Sequence, residues 1–165
     1  GRYRSYYYSQ PFISASGQIT LDGVTHQVNG IGWYDHEWTS QLADEDALGW
    51  DWFSLHFDDG RKLMAFTMYV EGSEAYTTGT LISAHGEPQT LGPEALQILP
   101  VTTSEVAGRE VPVAWQIRIP EEQIDITTKA FKTDQWNDSR FPYYEGAISF
   151  SGSHAGKGYM ELTGY

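Results

Sequence analysis

The stretch Trp50–Val70, WDWFSLHFDDGRKLMAFTMYV, carries the pattern that decides the fold. Two apolar runs flank Asp58–Gly60, and turn residues between two such runs predict an antiparallel β-hairpin. Because successive side chains of a strand point to opposite faces, Asp51 shares a face with Phe53 and Leu55. This stretch therefore predicts a hairpin that carries one carboxyl among apolar neighbours.

The same strand and turn pattern recurs along the chain. Asp22-Gly23 predicts a second hairpin turn, and His85–Pro88 predicts a third. About nine or ten antiparallel strands joined in this way imply a sandwich or a closed up-and-down barrel. We expect one all-β domain over residues 1–165. Further strands are predicted at Val113–Ile119, Ile124–Phe131, Tyr144–Ser151 and Gly158–Tyr165, and short helical turns at Ser40–Leu48 and Pro93–Leu96.

Composition excludes several classes of function. The net charge of −12 disfavours nucleic acids and anionic membranes as partners, since both bind basic patches. The chain has no cysteine, which excludes disulfides, thiol catalysis and cysteine-bound metals. No run approaches the ~20 apolar residues of a membrane-spanning helix. The chain begins without a methionine, and we expect it to be a piece of a longer protein.

Large aromatic and polar side chains are interleaved between Gly32 and Phe57. Tryptophan is normally buried, whereas carboxylates resist burial unless they are paired or hydrogen-bonded. This mixture is typical of a binding or catalytic pocket and not of a plain core. The aromatic members are Trp33, Trp38, Trp50 and Trp52, and the polar members are Asp35, His36, Glu37, Asp51 and His56.

Asp35-His36-Glu37-Trp38 follows a predicted strand, Val28–Tyr34, so we expect it at a strand end or in the first residues of a loop. In an extended segment Asp35 and Glu37 point one way, and His36 and Trp38 the other. One carboxyl would then transfer a proton while His36 orients it or carries water. The alternative is a polar strand end whose side chains bond to loop backbone.

Asp51 has two interpretations that depend on which face of its strand is inside. If the Asp51 face is inside, burial should raise the pKa of its carboxyl, which suits a general acid. If the opposite face is inside, Trp50 and Trp52 enclose Ser54 and His56. A purely structural Asp51, bonded to an arginine or to turn amides, fits the pattern equally well.

Two further groups of polar residues are candidate sites. Tyr144 and Glu145 are either pocket residues or hydrogen-bonded structural ties, and the pattern favours ties. His26, His36 and His56 could converge, but neither a helix-borne HExxH nor a calcium-loop spacing is present. We therefore predict no bound metal and no cofactor.

Five motifs in order, GWYDHEWTSQ, GWDWFSLHFDDGRKLMAF, PVAW, YYEG and GYMELTGY, resemble the carotenoid 1,2-hydratase (hydroxyneurosporene synthase) and AttH-like superfamily. The resemblance extends from about Tyr6 to Tyr165 and is greatest to the C-terminal half of the AttH-like proteins. It implies a lipocalin-like (calycin) antiparallel β-barrel, the second of two tandem barrels, with the first barrel as a partner that this chain lacks.

The resemblance also implies a function. Members of the superfamily act on apolar substrates, including hydration of the terminal double bond of acyclic carotenoids, and bacterial members are often described as predicted secreted hydrolases. The resemblance places hydration chemistry at Asp35, His36, Glu37 and Trp38, whereas Asp51 is a candidate acid on chemical grounds alone. It suggests a periplasmic, secreted or membrane-associated location. Non-catalytic carriage of an apolar ligand and a structural role beside the first barrel are the alternatives.

Overall fold

Strands make up nearly all the regular structure of this chain, whose computed structural model describes residues 5–39 and 47–165. The prediction of an all-β fold is confirmed. The only helical element among these residues is a 3-10 turn, Pro120–Glu122. The strands in chain order are β1 Ser5–Leu21, β2 Val24–Thr39, β3 Ala47–Phe57, β4 Lys62–Val70, β5 Tyr76–Ile82, β6 Pro88–Leu91, β7 Gln97–Val106, β8 Arg109–Ile119, β9 Ile124–Ala130, β10 Trp136–Asn137, β11 Tyr143–Gly152 and β12 Gly156–Leu162.

The chain divides into two compact units, Gly1–Asp44 and Glu45–Tyr165. The first unit contains β1 and β2, which pair with each other as a two-stranded antiparallel sheet. Asp22 and Gly23 connect them with φ values of 49° and 79°. A two-residue hairpin turn of type I′ requires positive φ at both positions, and Asp-Gly supplies it at low cost. The predicted turn at Asp22-Gly23 is confirmed.

The second unit is one antiparallel sheet with the strand order β6-β5-β4-β3-β12-β11-β9-β8-β7, and β10 pairs with β11 beside this path. The sheet curls into a half-barrel, which agrees with the lipocalin-like prediction. The turn at Asp58–Gly60 joins β3 to β4, as predicted. Chain neighbours are also sheet neighbours from β3 to β6, whereas β12 is inserted between β3 and β11.

The concave face of this sheet holds the hydrophobic core, because every second side chain of each strand points to it. On β3, Phe53 and Leu55 are fully buried, while Trp52 and His56 on the opposite face are half-buried. The core is filled with large side chains, which include Leu63, Trp115, Ile117, Ile126, Tyr144, Ile148 and Met160.

Of the two predicted short helical turns, Pro93–Leu96 forms one hydrogen-bonded turn, and most of Ser40–Leu48 lies outside the described residues. Residues 40–46 lie outside the described residues, and the last two of the predicted Ser40–Leu48 turn, Ala47 and Leu48, begin β3. At Pro93–Leu96, the N–H groups of Ala95 and Leu96 both donate to the carbonyl of Gly92, at 3.0 and 3.1 Å. That segment is a single hydrogen-bonded turn between β6 and β7.

Candidate functional site

Asp51 is the one carboxylate that the second unit buries completely within its described residues. It lies on β3 with its side chain on the core face, between Gly49 and Phe53. The strand opposite is β4, where Thr67 pairs with Asp51. An ionised carboxyl is costly to bury without hydrogen-bond donors, so its partners decide its chemical state.

Two tyrosine hydroxyls supply these donors. The Tyr69 hydroxyl donates to Oδ2 of Asp51 at 2.5 Å, and the Tyr165 hydroxyl donates to Oδ1 at 2.9 Å. Burial raises the pKa of Asp51 to about 6, and the two hydrogen bonds oppose this rise. Burial and the adjacent Asp51 carboxyl also raise the pKa of both tyrosines, so both hydroxyls are neutral donors.

An open groove lies beside this cluster. Its volume is about 380 Å³, and most of its lining is apolar. The Trp115 indole is fixed there by a hydrogen bond of 3.1 Å to the carbonyl of Pro112 and by edge-to-face contact with Phe53. Both tyrosines reach the groove, whereas Asp51 lies behind them. The groove is lined by Leu48, Tyr69, Pro100, Pro112, Trp115, Thr163, Gly164 and Tyr165.

The position of Tyr165 depends on a close backbone approach after β12. The Thr163 N–H donates to the carbonyl of Trp50, and the Trp50 N–H donates to Oγ1 of Thr163, both at 2.9 Å. Gly49, at φ 151°, lies so close to this segment that a Cβ would fall 2.3 Å from the Thr163 carbonyl oxygen. The missing side chain at Gly49 therefore allows Tyr165 to reach Asp51.

The tryptophans of β3 lie on the face opposite Asp51. Trp50 donates from Nε1 to Glu161 at 2.8 Å, and Trp52 pairs across the strands with Phe66. His56 lies on this outer face too, where burial and the neighbouring Lys62 charge lower its pKa. Of the two interpretations of β3, the structure adopts the one that buries Asp51.

Tyr144 and Glu145 have different environments. Tyr144 is fully buried in the core, where its hydroxyl donates to the carbonyl of Lys132 at 3.2 Å and accepts from Nε2 of Gln135 at 3.1 Å. Glu145 lies on the opposite face of β11, across from Glu161 of β12. The hydroxyl of Tyr144 is thus hydrogen-bonded to a backbone carbonyl and to a side-chain amide.

Asp35, His36, Glu37 and Trp38 belong to the first unit and form the end of β2, which runs to Thr39. Asp35 accepts hydrogen bonds from the hydroxyls of Tyr7 at 2.6 Å and Ser9 at 2.5 Å. Register places Glu37 opposite Tyr7, and strand alternation puts Trp33 and Glu37 on the Asp35 face.

The other face of this hairpin is aromatic. His36 stacks on Tyr8 with ring centroids 5.7 Å apart, and its Nδ1 lies 3.0 Å from the Tyr34 hydroxyl. Trp38 stacks on Tyr6 at 5.5 Å. All five rings are exposed. Within the first unit, Trp33, Asp35 and Glu37 thus share one hairpin face, and His36 and Trp38 share the other. Asp51 belongs to the sheet of the second unit.

Neither Tyr69 nor Tyr165 is predicted from the sequence as a partner of Asp51. The position of Tyr69 beside Asp51 could have been predicted, because the turn at Asp58–Gly60 sets the register that pairs Asp51 with Thr67. Tyr69 is then the diagonal neighbour of Asp51 on the same face. Tyr165 gave no such signal, since it follows the end of β12 and its contact with Asp51 spans 114 positions.

The described residues contain neither a group of metal ligands nor a membrane-spanning helix. Within residues 5–39 and 47–165, no three His, Asp or Glu side chains are grouped so that they could hold a metal ion. No helix in the same ranges has the length and apolar character needed to cross a bilayer.

Comparison with known proteins agrees with this fold. The AttH-like family matches residues 1–165. A crystal structure from Nitrosomonas europaea, of a protein provisionally named AttH, has 36% sequence identity and a TM-score of 0.85, and the match covers 98% of this chain. This chain spans about half of that protein, 52% of its length. No curated protein matches the chain. By sequence and by fold, the chain belongs to the AttH-like family.

Proposed function

We propose that this chain binds an apolar small molecule and adds water to a carbon–carbon double bond by acid catalysis. The observation that carries the proposal is a buried carboxyl, Asp51, whose pKa of about 6 leaves about a tenth of it protonated at pH 7 and half at pH 6. It lies behind two tyrosine hydroxyls at the wall of a mostly apolar groove. A general acid is most effective when its pKa is near the working pH.

The groove suits the intermediate of this reaction. Protonation of a trisubstituted alkene gives a tertiary carbocation, which is short-lived in bulk water. The rings of Tyr69 and Tyr165, which line the groove, would stabilise the cation by about 1–2 kcal/mol for each well-placed ring. Addition of water to the cation, followed by loss of a proton to the Asp51 carboxylate, restores the site and gives a tertiary alcohol.

We propose a supporting role for Asp35, His36, Glu37 and Trp38 at the end of β2. The resemblance of this segment to the superfamily motif suggests a part in hydration. The hydroxyls of Tyr7 and Ser9 both donate to Oδ1 of Asp35 and hold its carboxyl in one orientation, as a carboxyl that acts on a bound substrate requires. Trp33 is proposed as a substrate contact of the first unit. Trp50, Trp52 and His56 lie on the face of β3 opposite Asp51, and Glu145 lies on the outer face of β11, so as proposed substrate contacts they would belong to a second surface and not to this groove. The enclosed hydroxyl of Tyr144 favours a structural role.

A carrier for an apolar ligand is the second candidate. The groove is apolar in most of its lining, and a ligand bound there needs no chemistry at Asp51. Intrinsic tryptophan fluorescence that responds to an added isoprenoid, with no product by mass spectrometry, would favour this function over hydration.

We further propose that a second lipocalin-like barrel accompanies this chain in the complete protein. The support is the extent of the match with the Nitrosomonas europaea protein, which includes 98% of this chain but only 52% of that protein. A structure of the complete protein with no second β-domain would contradict this proposal.

Geraniol, which has a trisubstituted terminal double bond, is the probe for hydration. We expect the chain to form a product heavier by one water, and D51N to lose on the order of 100-fold or more in rate, as removal of a general acid does. D58N, which replaces an exposed carboxyl in the turn between β3 and β4, is the matched control and should retain the wild-type rate. D35N and H36Q in the same assay test the supporting role.

Full activity in D51N would show that Asp51 is not the acid. Undiminished activity in D35N and H36Q would remove the hairpin residues from the mechanism. If the wild-type chain binds geraniol but forms no product, the result would support the carrier function and contradict hydration.

A further inference from the structure

The Asp51 side chain does not line the groove in which the proposed substrate binds. Its side chain has no exposed surface, and it is not among the groove-lining residues, whereas Tyr69 and Tyr165 are. A ligand in the groove therefore contacts Tyr69 or Tyr165 before it could contact the carboxyl. The hydroxyls of these two residues, which are hydrogen-bonded to Asp51, are the direct path for a proton between Asp51 and such a ligand.

The protonation state of Asp51 determines the direction of the tyrosine hydrogens. An ionised Asp51 only accepts, so both tyrosines donate to it. A neutral Asp51 carries one O–H, and the tyrosine that accepts this hydrogen can no longer donate its own hydrogen to the same oxygen. That tyrosine hydrogen must then turn elsewhere, either to the other tyrosine hydroxyl, with which it shares a hydrogen bond, or towards the groove that both tyrosines line.

The distances distinguish the two tyrosines. Tyr69 lies 2.5 Å from Oδ2, within the range of short charge-assisted O–H···O⁻ bonds, while Tyr165 lies 2.9 Å from Oδ1. A proton is shared most readily across the shorter contact. Tyr165 occupies the other oxygen and fixes the plane of the carboxyl.

We propose that Tyr69 delivers the proton of Asp51 to a ligand in the groove, and that Tyr165 is a positioning residue that holds Asp51 in line with Tyr69. This inference rests on the proposed hydration. In the forward step, the O–H bond of Tyr69 breaks as a C–H bond forms on the alkene, and the proton of Asp51 moves to the Tyr69 oxygen. Water then adds to the cation and its surplus proton returns through Tyr69 to Asp51, so atoms and charge balance.

A ligand-free measurement tests the hydrogen exchange itself. The whole chain is labelled with ¹³C at the tyrosine ring carbon that bears the hydroxyl, and NMR spectra are recorded from pH 4 to pH 8, with Y69F and Y165F used to assign the two signals. We expect the Tyr69 signal to change with the midpoint at which Asp51 titrates, by more than the Tyr165 signal does. D51N should abolish the change.

Activity with geraniol tests the transfer. We expect Y69F to lose roughly 100-fold in kcat with little change in KM, as for loss of a proton donor. Y165F should lose less, and its rate should fall at a higher pH than in the wild-type chain, because a hydrogen bond that favours the Asp51 carboxylate is gone. Y76F, on an exposed tyrosine of β5, is the control.

The outcomes separate this inference from the proposed function. A Tyr69 signal that ignores the titration of Asp51, or a Y69F variant with wild-type kcat, would overturn the Tyr69 relay. An unmoved pH profile in Y165F would overturn the positioning role. A Tyr69 signal that follows Asp51 in a chain that does not hydrate geraniol would support the Tyr69–Asp51 exchange and refute hydration of this probe.

Discussion

Asp51 shows at the scale of one residue how burial and hydrogen bonds act in opposite directions. Removal of the carboxyl from water favours its neutral form, and the two tyrosine donors favour its charged form. Burial is the larger effect, so the pKa of Asp51 rises to about 6 from an ordinary value of 3.8. The same carboxyl is therefore a candidate acid and a source of pH-dependent stability.

The stability of the protein should depend on pH through Asp51. Because the pKa of Asp51 is raised in the folded state, its contribution is fully present below pH 3.8 and is lost as the pH rises through about 6. The full difference is at most about 3 kcal/mol. We expect D51N, which cannot ionise, to gain stability relative to the wild-type chain between pH 4 and pH 8. Urea unfolding at the two pH values measures this gain, and a constant difference would contradict the raised pKa.

Pairing between elements determines which residues meet at the site. β3 supplies Asp51, β4 supplies Tyr69, and the segment after β12 supplies Tyr165. β12 joins the sheet next to β3, although the two strands are far apart in the chain. The site therefore forms only when the last strand has paired with β3.

The close approach at Gly49 can be tested by adding one methyl group. In G49A the new Cβ would fall 2.3 Å from the Thr163 carbonyl oxygen, at a backbone φ of 151° that side chains disfavour. We expect a loss of about 1–3 kcal/mol in unfolding free energy, since strained backbone positions cost about that much. We also expect loss of the Tyr165 contact. G86A in the β5–β6 turn is the matched control, since φ there is also positive, at 88°, but no atom lies within 4 Å of a new Cβ.

Equal destabilisation of G49A and G86A would show that backbone conformation alone, and not the contact with Thr163, restricts position 49. A Tyr165 signal in the ¹³C spectrum of G49A that still follows Asp51 would show that the segment after β12 tolerates the added methyl group.

At the scale of the whole molecule, the two units differ in how much they bury. The sheet of Glu45–Tyr165 encloses a core of large side chains, whereas the described side chains of β1 are mostly exposed, among them Tyr6, Phe12 and Ile19. A two-stranded hairpin without a hydrophobic face buried elsewhere is at best marginally stable in water. The two units should therefore open with different free energies.

Hydrogen exchange measures this difference directly. We expect the amides of β1 and β2 to exchange well before those of β3, β8 and β11, because exchange from the core strands requires global unfolding. Native-state exchange followed by mass spectrometry after proteolysis resolves these segments. Protection of β1 and β2 equal to that of β3 would show that all of these strands unfold as one cooperative unit.

Much of the fold was predictable from local patterns. The turns at Asp22-Gly23 and Asp58–Gly60 are confirmed, because Asp and Gly adopt the positive φ that tight hairpins need. The turn between β7 and β8 was not predicted: Ala107 and Gly108 adopt φ values of 51° and 76° there, and only Gly108 is a residue that favours such a turn. β7 itself has a largely exposed pattern, which is why no alternation identified it.

The sequence alone determined the strand periodicity, the hairpin turns and the position of Asp51 among apolar neighbours, since these depend on residues close together in the chain. It left open which face of β3 is inside, because both faces carry large aromatic residues. Only the tertiary structure decided that the Asp51 face is inside and that Tyr165 reaches it from 114 positions away. That contact depends on strand pairing between distant segments, and no local pattern records such pairing.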